Sequence, residues 1–232
     1  MRAAVFVVTL AIAAGAVHAA DGDGALRRLD HLVYAVPDLD GGVADLERRL
    51  GVRAAPGGPH PGRGTRNALI GLGPDSYLEI IAPDPAQPEP AGGRWFGVDP
   101  RAAARLAGWA AKGSDLPRLV ASAAQRGVPL GEVMPGARTR PDGVELRWTL
   151  TNPDAKAVFG LAPFFIDWGT SPHPAATAPR GPVLVSLRAE HPRPDLAREP
   201  LAAIGFDLVV GAGPRPALVA VLRTVLGLVE LR

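Results

Sequence analysis

His31 and Glu79 place an imidazole and a carboxylate inside two otherwise apolar runs, Leu29-Asp30-His31-Leu32-Val33-Tyr34-Ala35-Val36 and Tyr77-Leu78-Glu79-Ile80-Ile81. Both runs have strand composition, and strand side chains alternate with period two, so Tyr77, Glu79 and Ile81 share one face. If the strands are neighbours, the two polar groups point into one concave surface. There they can bind Zn, Ni, Fe(II) or Mn, pass a proton, or form a structural hydrogen bond. A carboxylate left unpaired in an apolar strand is costly, so Glu79 needs a partner: His31, an arginine or a metal. Glu230, in Val229-Glu230-Leu231, carries the same reasoning near the other end and is a third candidate metal ligand.

The segment His60-Pro61-Gly62-Arg63-Gly64-Thr65-Arg66-Asn67 reads as a loop with ligand-binding chemistry. Arg63 and Arg66 can grip a carboxylate or phosphate in bidentate fashion, His60 and Asn67 add polar contacts, and the glycines let backbone come close. A surface turn is the alternative. The expected ligand is a small oxygen-rich anion or carbonyl compound. Trp148 and Trp168 lie in strand patterns and can wall an apolar pocket, or fill the core. His173 and His191 adjoin prolines or loops and read as structural or solvated. No glycine-rich phosphate loop follows a strand, no serine elbow is present, and there is no cysteine.

The elements that position these groups repeat at a spacing near 77 residues, giving an α+β chain of three βαβββ units at 29–83, 106–168 and 183–232. Each unit has a strand, a helix opened near Asp38, Asp115 or Asp195, a glycine after it (Gly51, Gly127, Gly205), then three strand candidates. Strands are expected around 52–55, 68–72 and 77–82; 130–134, 144–150 and 164–168; and 207–210, 217–222 and 227–231. Pro/Gly-rich links span 83–100 and 169–182. Aligning the helix starts puts Gly108 opposite His31 and Ile166 or Asp167 opposite Glu79. In the third unit Glu230 matches Glu79, while Ser186 or Arg188 matches His31.

The motifs Leu29 to Leu39, His60 to Ile70 and Tyr77 to Ile81, with Pro163-Phe164-Phe165-Ile166-Asp167-Trp168, resemble the glyoxalase-like branch of the vicinal oxygen chelate superfamily. The resemblance spans 29–232 and implies a cup closed by two βαβββ modules, with ligands drawn from first and last strands of both halves. It implies a divalent-metal lyase or isomerase, with His31 and Glu79 catalytic, or a metal-free protein that binds or sequesters small molecules. The second half lacks the matching donors, so neither the four-ligand glyoxalase set nor a His-His-Glu set is complete. A third unit exceeds the usual pair. It either packs on the first two or leaves a sheet edge for a second copy, as in a homodimer.

Arg2, an apolar stretch from Ala3 to Val17 and Val17-His18-Ala19 read as a secretory signal peptide over residues 1–19, cleaved after Ala19. A secreted or periplasmic protein is expected, with no membrane association after cleavage, and without cysteine its core must hold unaided. Once Arg2 leaves with the leader, 24 basic residues face 23 acidic ones, scattered singly, which argues against nucleic acid.

Overall fold

The computed structural model describes residues 23–232, so the signal peptide read over 1–19 lies outside the described residues. A short helix α1 (Asp23–Arg28) leads into β1 (Leu29–Ala35), α2 (Leu39–Leu50), β2 (Ala55–His60), β3 (Thr65–Gly71) and β4 (Tyr77–Pro83). The second set is β5 (Arg105–Lys112), α3 (Leu116–Gln125), β6 (Val133–Thr139), β7 (Glu145–Thr151) and β8 (Phe164–Asp167). The third is β9 (Val183–His191), α4 (Asp195–Ala203), β10 (Val209–Ala212), β11 (Ala217–Thr224) and β12 (Gly227–Leu231). The architecture is α+β, as the sequence predicts. Among the described residues no helix is long and apolar enough to cross a membrane.

The helices show how local chemistry sets these boundaries. Asp38 caps α2 by accepting from the Gly41 N–H at 2.7 Å, and Gly51 ends it in the left-handed region, where a side chain would be strained. Gly127 and Gly205 follow the next two helices with φ of 78° and 83°. The expected Asx caps are not repeated: Asp115 makes no side-chain cap, and Asp195 lies inside the first turn behind Pro194. The core face of α2 is Leu39, Val43, Leu46 and Leu50, all buried at the spacing of one helical stripe.

Strands β1 to β8 form one sheet in the order β2-β3-β4-β1-β5-β8-β7-β6. In each half the first strand pairs in parallel with the last, β1 with β4 and β5 with β8, and the antiparallel β1–β5 pair joins the halves. The sheet curls until its edges β2 and β6 meet, where the Arg138 guanidinium donates to the Gly57 carbonyl. Alternation then sorts the side chains. Leu32, Tyr34, Leu78, Ile80, Trp109 and Phe165 face outward onto the helices and the third unit, while Val33, Ile81, Trp148, Phe164 and Ile166 line the inside.

The third unit repeats the element order but not the strand order. Its sheet runs β10-β9-β11-β12, so β9 lies between the second and third strands instead of beside the last. It packs on the first two units. Phe206 meets Trp109 and Phe165 with ring centroids 5.1 and 5.9 Å apart, and the Leu106 N–H donates to the Arg232 carbonyl at 2.5 Å. Trp109 is fully buried, and its indole N–H donates to the Leu161 carbonyl at 2.9 Å, which removes the cost of enclosing that donor.

Candidate active site

The parallel β1–β4 register sets His31 beside Tyr77 and Val33 beside Glu79, so His31 and Glu79 converge inside the cup. His31 Nε2 lies 3.9 Å from Glu79 Oε2, too far for a hydrogen bond and close enough to act on one atom between them. Both side chains are buried, and both are fixed from behind. His31 Nδ1 donates to Asp30 Oδ1 at 2.7 Å, which in the neutral ring turns the Nε2 lone pair toward Glu79. The ring is sandwiched by Tyr77, stacked at 4.6 Å, and by Phe164, edge-on at 5.4 Å.

Asp30 is the anchor of this arrangement. Buried at 1 % exposure, it also accepts from Trp168 Nε1 at 3.1 Å and from His173 Nε2 at 3.1 Å. The His173 tautomer follows from its other nitrogen, which accepts from the Ala175 N–H at 3.2 Å. Burial by itself raises the Asp30 carboxyl, but the hydrogen bonds and charges of His173 and His31 outweigh it and hold the group down at about 2.

Glu79 is held from the other side. Asn67 Nδ2 donates to Glu79 Oε1 at 2.6 Å and to His60 Nε2 at 3.2 Å, while His60 Nδ1 donates to Thr65 Oγ1 at 2.9 Å. Burial pushes the His60 imidazole below its ordinary range, with Arg138, His31 and Arg63 reinforcing and Glu79 opposing. Asn67 Oδ1 is buried without a partner, the consequence of aiming the amide's donor side at Glu79. It lies against Gly57, where any Cβ would overlap it.

Sequence reasoning misassigned parts of this picture. The segment from His60 to Asn67 is not one loop: His60 ends β2 and Asn67 belongs to β3, both facing inward. Its composition of prolines and glycines disguises an edge strand, since an edge tolerates missing N–H groups. Alternation sends Arg66 outward toward Asp40 at 3.7 Å, away from the site. Arg63 stays at the rim with its guanidinium 4.3 Å above the Trp95 ring. Trp148 lines the cup, but Glu230 does not enter it. Glu230 lies exposed on β12 of the other sheet, with Arg188 and Arg232.

Three contributors were not foreseen, Asp30, Trp95 and Arg138, while His173, read as structural or solvated, is structural and bonds to Asp30. Asp30 was visible as the neighbour of His31. Arg138 was hidden because strand β6 begins and ends later than its composition suggests, so the inward positions Met134, Gly136 and Arg138 could not be counted off. Arg138 is 3 % exposed and faces the cup with Tyr77 and Glu79. Burial pushes its guanidinium down, and those two groups oppose the shift.

The donor set does not suit a resident divalent metal. His60 Nε2 and Glu79 Oε1 are engaged by Asn67, which leaves His31 Nε2 and Glu79 Oε2 as free donors. The second half offers Gly108 opposite His31 and, by strand register, Phe164 opposite Glu79, neither of them a donor, and a buried guanidinium shares the cup. Zinc sites use three or four protein ligands, more than the two left free here. Among the described residues no group of three or more His, Cys, Asp or Glu is arranged to hold an ion.

The cup encloses about 30 Å³ of free space between His31, Glu79, Arg138, Trp95, Phe96 and Phe164, room for roughly two waters. What enters it must therefore be small, such as one end of a larger molecule.

A family model described as a glyoxalase-like domain matches residues 29–205. A comparison with curated proteins returns no match. Among solved structures, a hypothetical protein from Staphylococcus aureus superimposes with a TM-score of 0.57 at 14 % identity, covering 82 % of this chain and 87 % of its own. Methylmalonyl-CoA epimerase from Mycobacterium tuberculosis aligns with a TM-score of 0.42 at 20 % identity over 62 % of this chain and 89 % of its own. The Streptomyces coelicolor epimerase in complex with 2-nitronate-propionyl-CoA gives 0.41 at 23 % over 60 % and 95 %.

Proposed function

This chain belongs to the glyoxalase-like domain family within the vicinal oxygen chelate superfamily, and on that premise we propose that its cup is a proton-transfer site of isomerase or lyase type. The observation that carries the reading is the 3.9 Å gap between His31 Nε2 and Glu79 Oε2, two proton carriers aimed at one point. A carbon acid resting against both loses its proton to one of them, the proton crosses to the other, and that group returns it to carbon. The negative charge that builds on the neighbouring carbonyl or carboxylate oxygen faces Arg138, a buried cation whose field is strong because water is excluded. Asp30 and Asn67 are positioning residues: the first fixes the His31 tautomer, the second aims Glu79. The substrate class is a small carbonyl or carboxylate compound. The leader-like residues 1–19 support export to the periplasm or beyond.

A binding role without turnover is the second reading, favoured by the incomplete set of metal donors in the cup. One experiment separates the two. The protein is incubated in D₂O with short 2-oxo and 2-hydroxy carboxylic acids, and loss of the C–H signal next to the carbonyl or carboxylate is followed by NMR. Exchange is expected with the native chain and should fall about 10² to 10⁴-fold in Glu79→Gln. Equal exchange in the variant would refute the assignment, and no exchange with any compound that binds would leave the binding role.

A further inference from the structure

A second cavity lies outside the cup. It is a cleft of about 500 Å³ between the eight-stranded sheet and the third unit. Its size is that of a small-molecule site. Phe96 and Phe164 line both cavities, so these two rings, 5.6 Å apart, are the wall between cleft and cup. The Phe164 ring stands edge-on to His31, which puts the far side of that wall at the proposed reacting groups.

The residues around the cleft are unusual in backbone and in charge. Of the five described non-glycine residues with positive φ, four lie in the two segments that border it: Phe96, Lys156, Val158 and Phe159. Such conformations cost free energy and persist where the surroundings hold them. Phe96 is held at both ends, its N–H donating to Asp154 Oδ1 at 3.3 Å and its carbonyl accepting from Arg105 at 2.5 Å. The acids at the cleft are thereby engaged, since Glu190 is paired with Arg188 and Arg232. Lys156 and Arg215 are exposed at its rim and have no ion-pair partner among the described residues. Leu106, Phe159 and Leu161 line the same cleft, so an apolar path and exposed positive charge share it.

We infer that this cleft binds an amphipathic organic anion, with its carboxylate or phosphate at Lys156 and Arg215 and its apolar body along the path to Phe96 and Phe164. The cleft is a second site that meets the cup at the shared Phe96–Phe164 wall, and its occupancy is independent of the proposed reaction. The cleft gives the third unit, which supplies Arg215 and the floor at Ala217 and Leu218, a part in recognition.

The test uses the absence of native cysteine. Ala155→Cys puts a single thiol in the exposed wall of the cleft, and its alkylation by iodoacetamide is timed with octyl phosphate, octanoate or octanol present. Both anions should slow alkylation at least 10-fold at saturation, and octanol should not. Whichever anion protects at lower concentration names the head group. Adding Lys156→Glu and Arg215→Glu, both at exposed positions, should abolish protection, and raised salt should weaken it. Unchanged alkylation with either anion overturns the cleft as a site, and protection that survives charge reversal overturns the recognition by cations. Glu79→Gln should keep full protection, so a chain that protects its thiol but exchanges no C–H refutes the reaction alone.

Discussion

Replacing Asp30 with Asn tests the core of the site, because one carboxylate there accepts from His31, Trp168 and His173 while buried at 1 % exposure. An amide keeps one acceptor oxygen and turns an N–H toward a group that also donates. Hydrogen bonds to a buried charge are worth about 1.5–3 kcal/mol each, and an unsatisfied donor costs about 1–3, so Asp30→Asn should lose about 2–4 kcal/mol. The carboxyl's displacement from 3.8 to about 2 gives an independent figure of about 2 kcal/mol for the ionised over the protonated form. The sign is fixed by its direction: the folded value is depressed, so the contribution is complete above 3.8 and is lost as pH falls through about 2. Urea unfolding should therefore show a gap between native and variant at pH 7 that shrinks toward pH 2. Thermal midpoints at pH 7 should differ by about 5–12 °C for a chain of this size. Nitrogen NMR should find the His31 proton no longer held on Nδ1. A cost below about 0.5 kcal/mol, or a gap unchanged down to pH 2, would refute the anchoring role.

Gly57→Ala should overlap Asn67 Oδ1 and destabilise by about 1–3 kcal/mol, with C–H exchange falling as Glu79 loses its guide; urea midpoints and the exchange assay read both. Protein purified without a metal-affinity tag should carry well under one equivalent of Zn, Ni, Fe or Mn by elemental analysis; a full equivalent that disappears in Glu79→Ala would reinstate a metal site. Because burial depresses the folded His60 imidazole, its contribution is whole above 6.5 and declines as pH falls below that value; His60→Gln should flatten the stability profile there. Phe206→Ala removes the aromatic contact to Trp109 and Phe165 and should cost about 3–5 kcal/mol, with limited proteolysis cutting first within 183–232.

Much of the framework was legible because it rests on short-range rules. Asp38 and Gly51 bracket α2, and the alternation in Tyr77-Leu78-Glu79-Ile80-Ile81 puts Glu79 on the inward face beside His31. The rest depends on contacts that no local pattern encodes. Asp30 acquires its meaning only when Trp168 and His173, more than 130 residues away, close over it. Strand β2 has the composition of a loop and becomes a strand because β3 offers it a ladder. The third unit repeats the spacing of the others, yet its strand order changes because β9 pairs with β10 and β11, a choice made by tertiary packing. Glu230 therefore ends far from the groups it matches by spacing.

The seam between β2 and β6 has a mechanical consequence. Barrels sealed by backbone ladders dilate only by breaking many bonds together, whereas here side-chain bonds fasten the circumference, Arg138 on the Gly57 carbonyl and Arg63 on Met134 Sδ at 3.8 Å. Pro56 and Pro59 leave β2 with few N–H groups to zip the edge further. Arg138 is thus both a latch of the circumference and the cation of the interior. An anion drawing that guanidinium inward would unfasten that latch as it binds, so the walls would loosen when room is needed. Amide hydrogen exchange along β6 reports this coupling, rising with anion where most proteins fall.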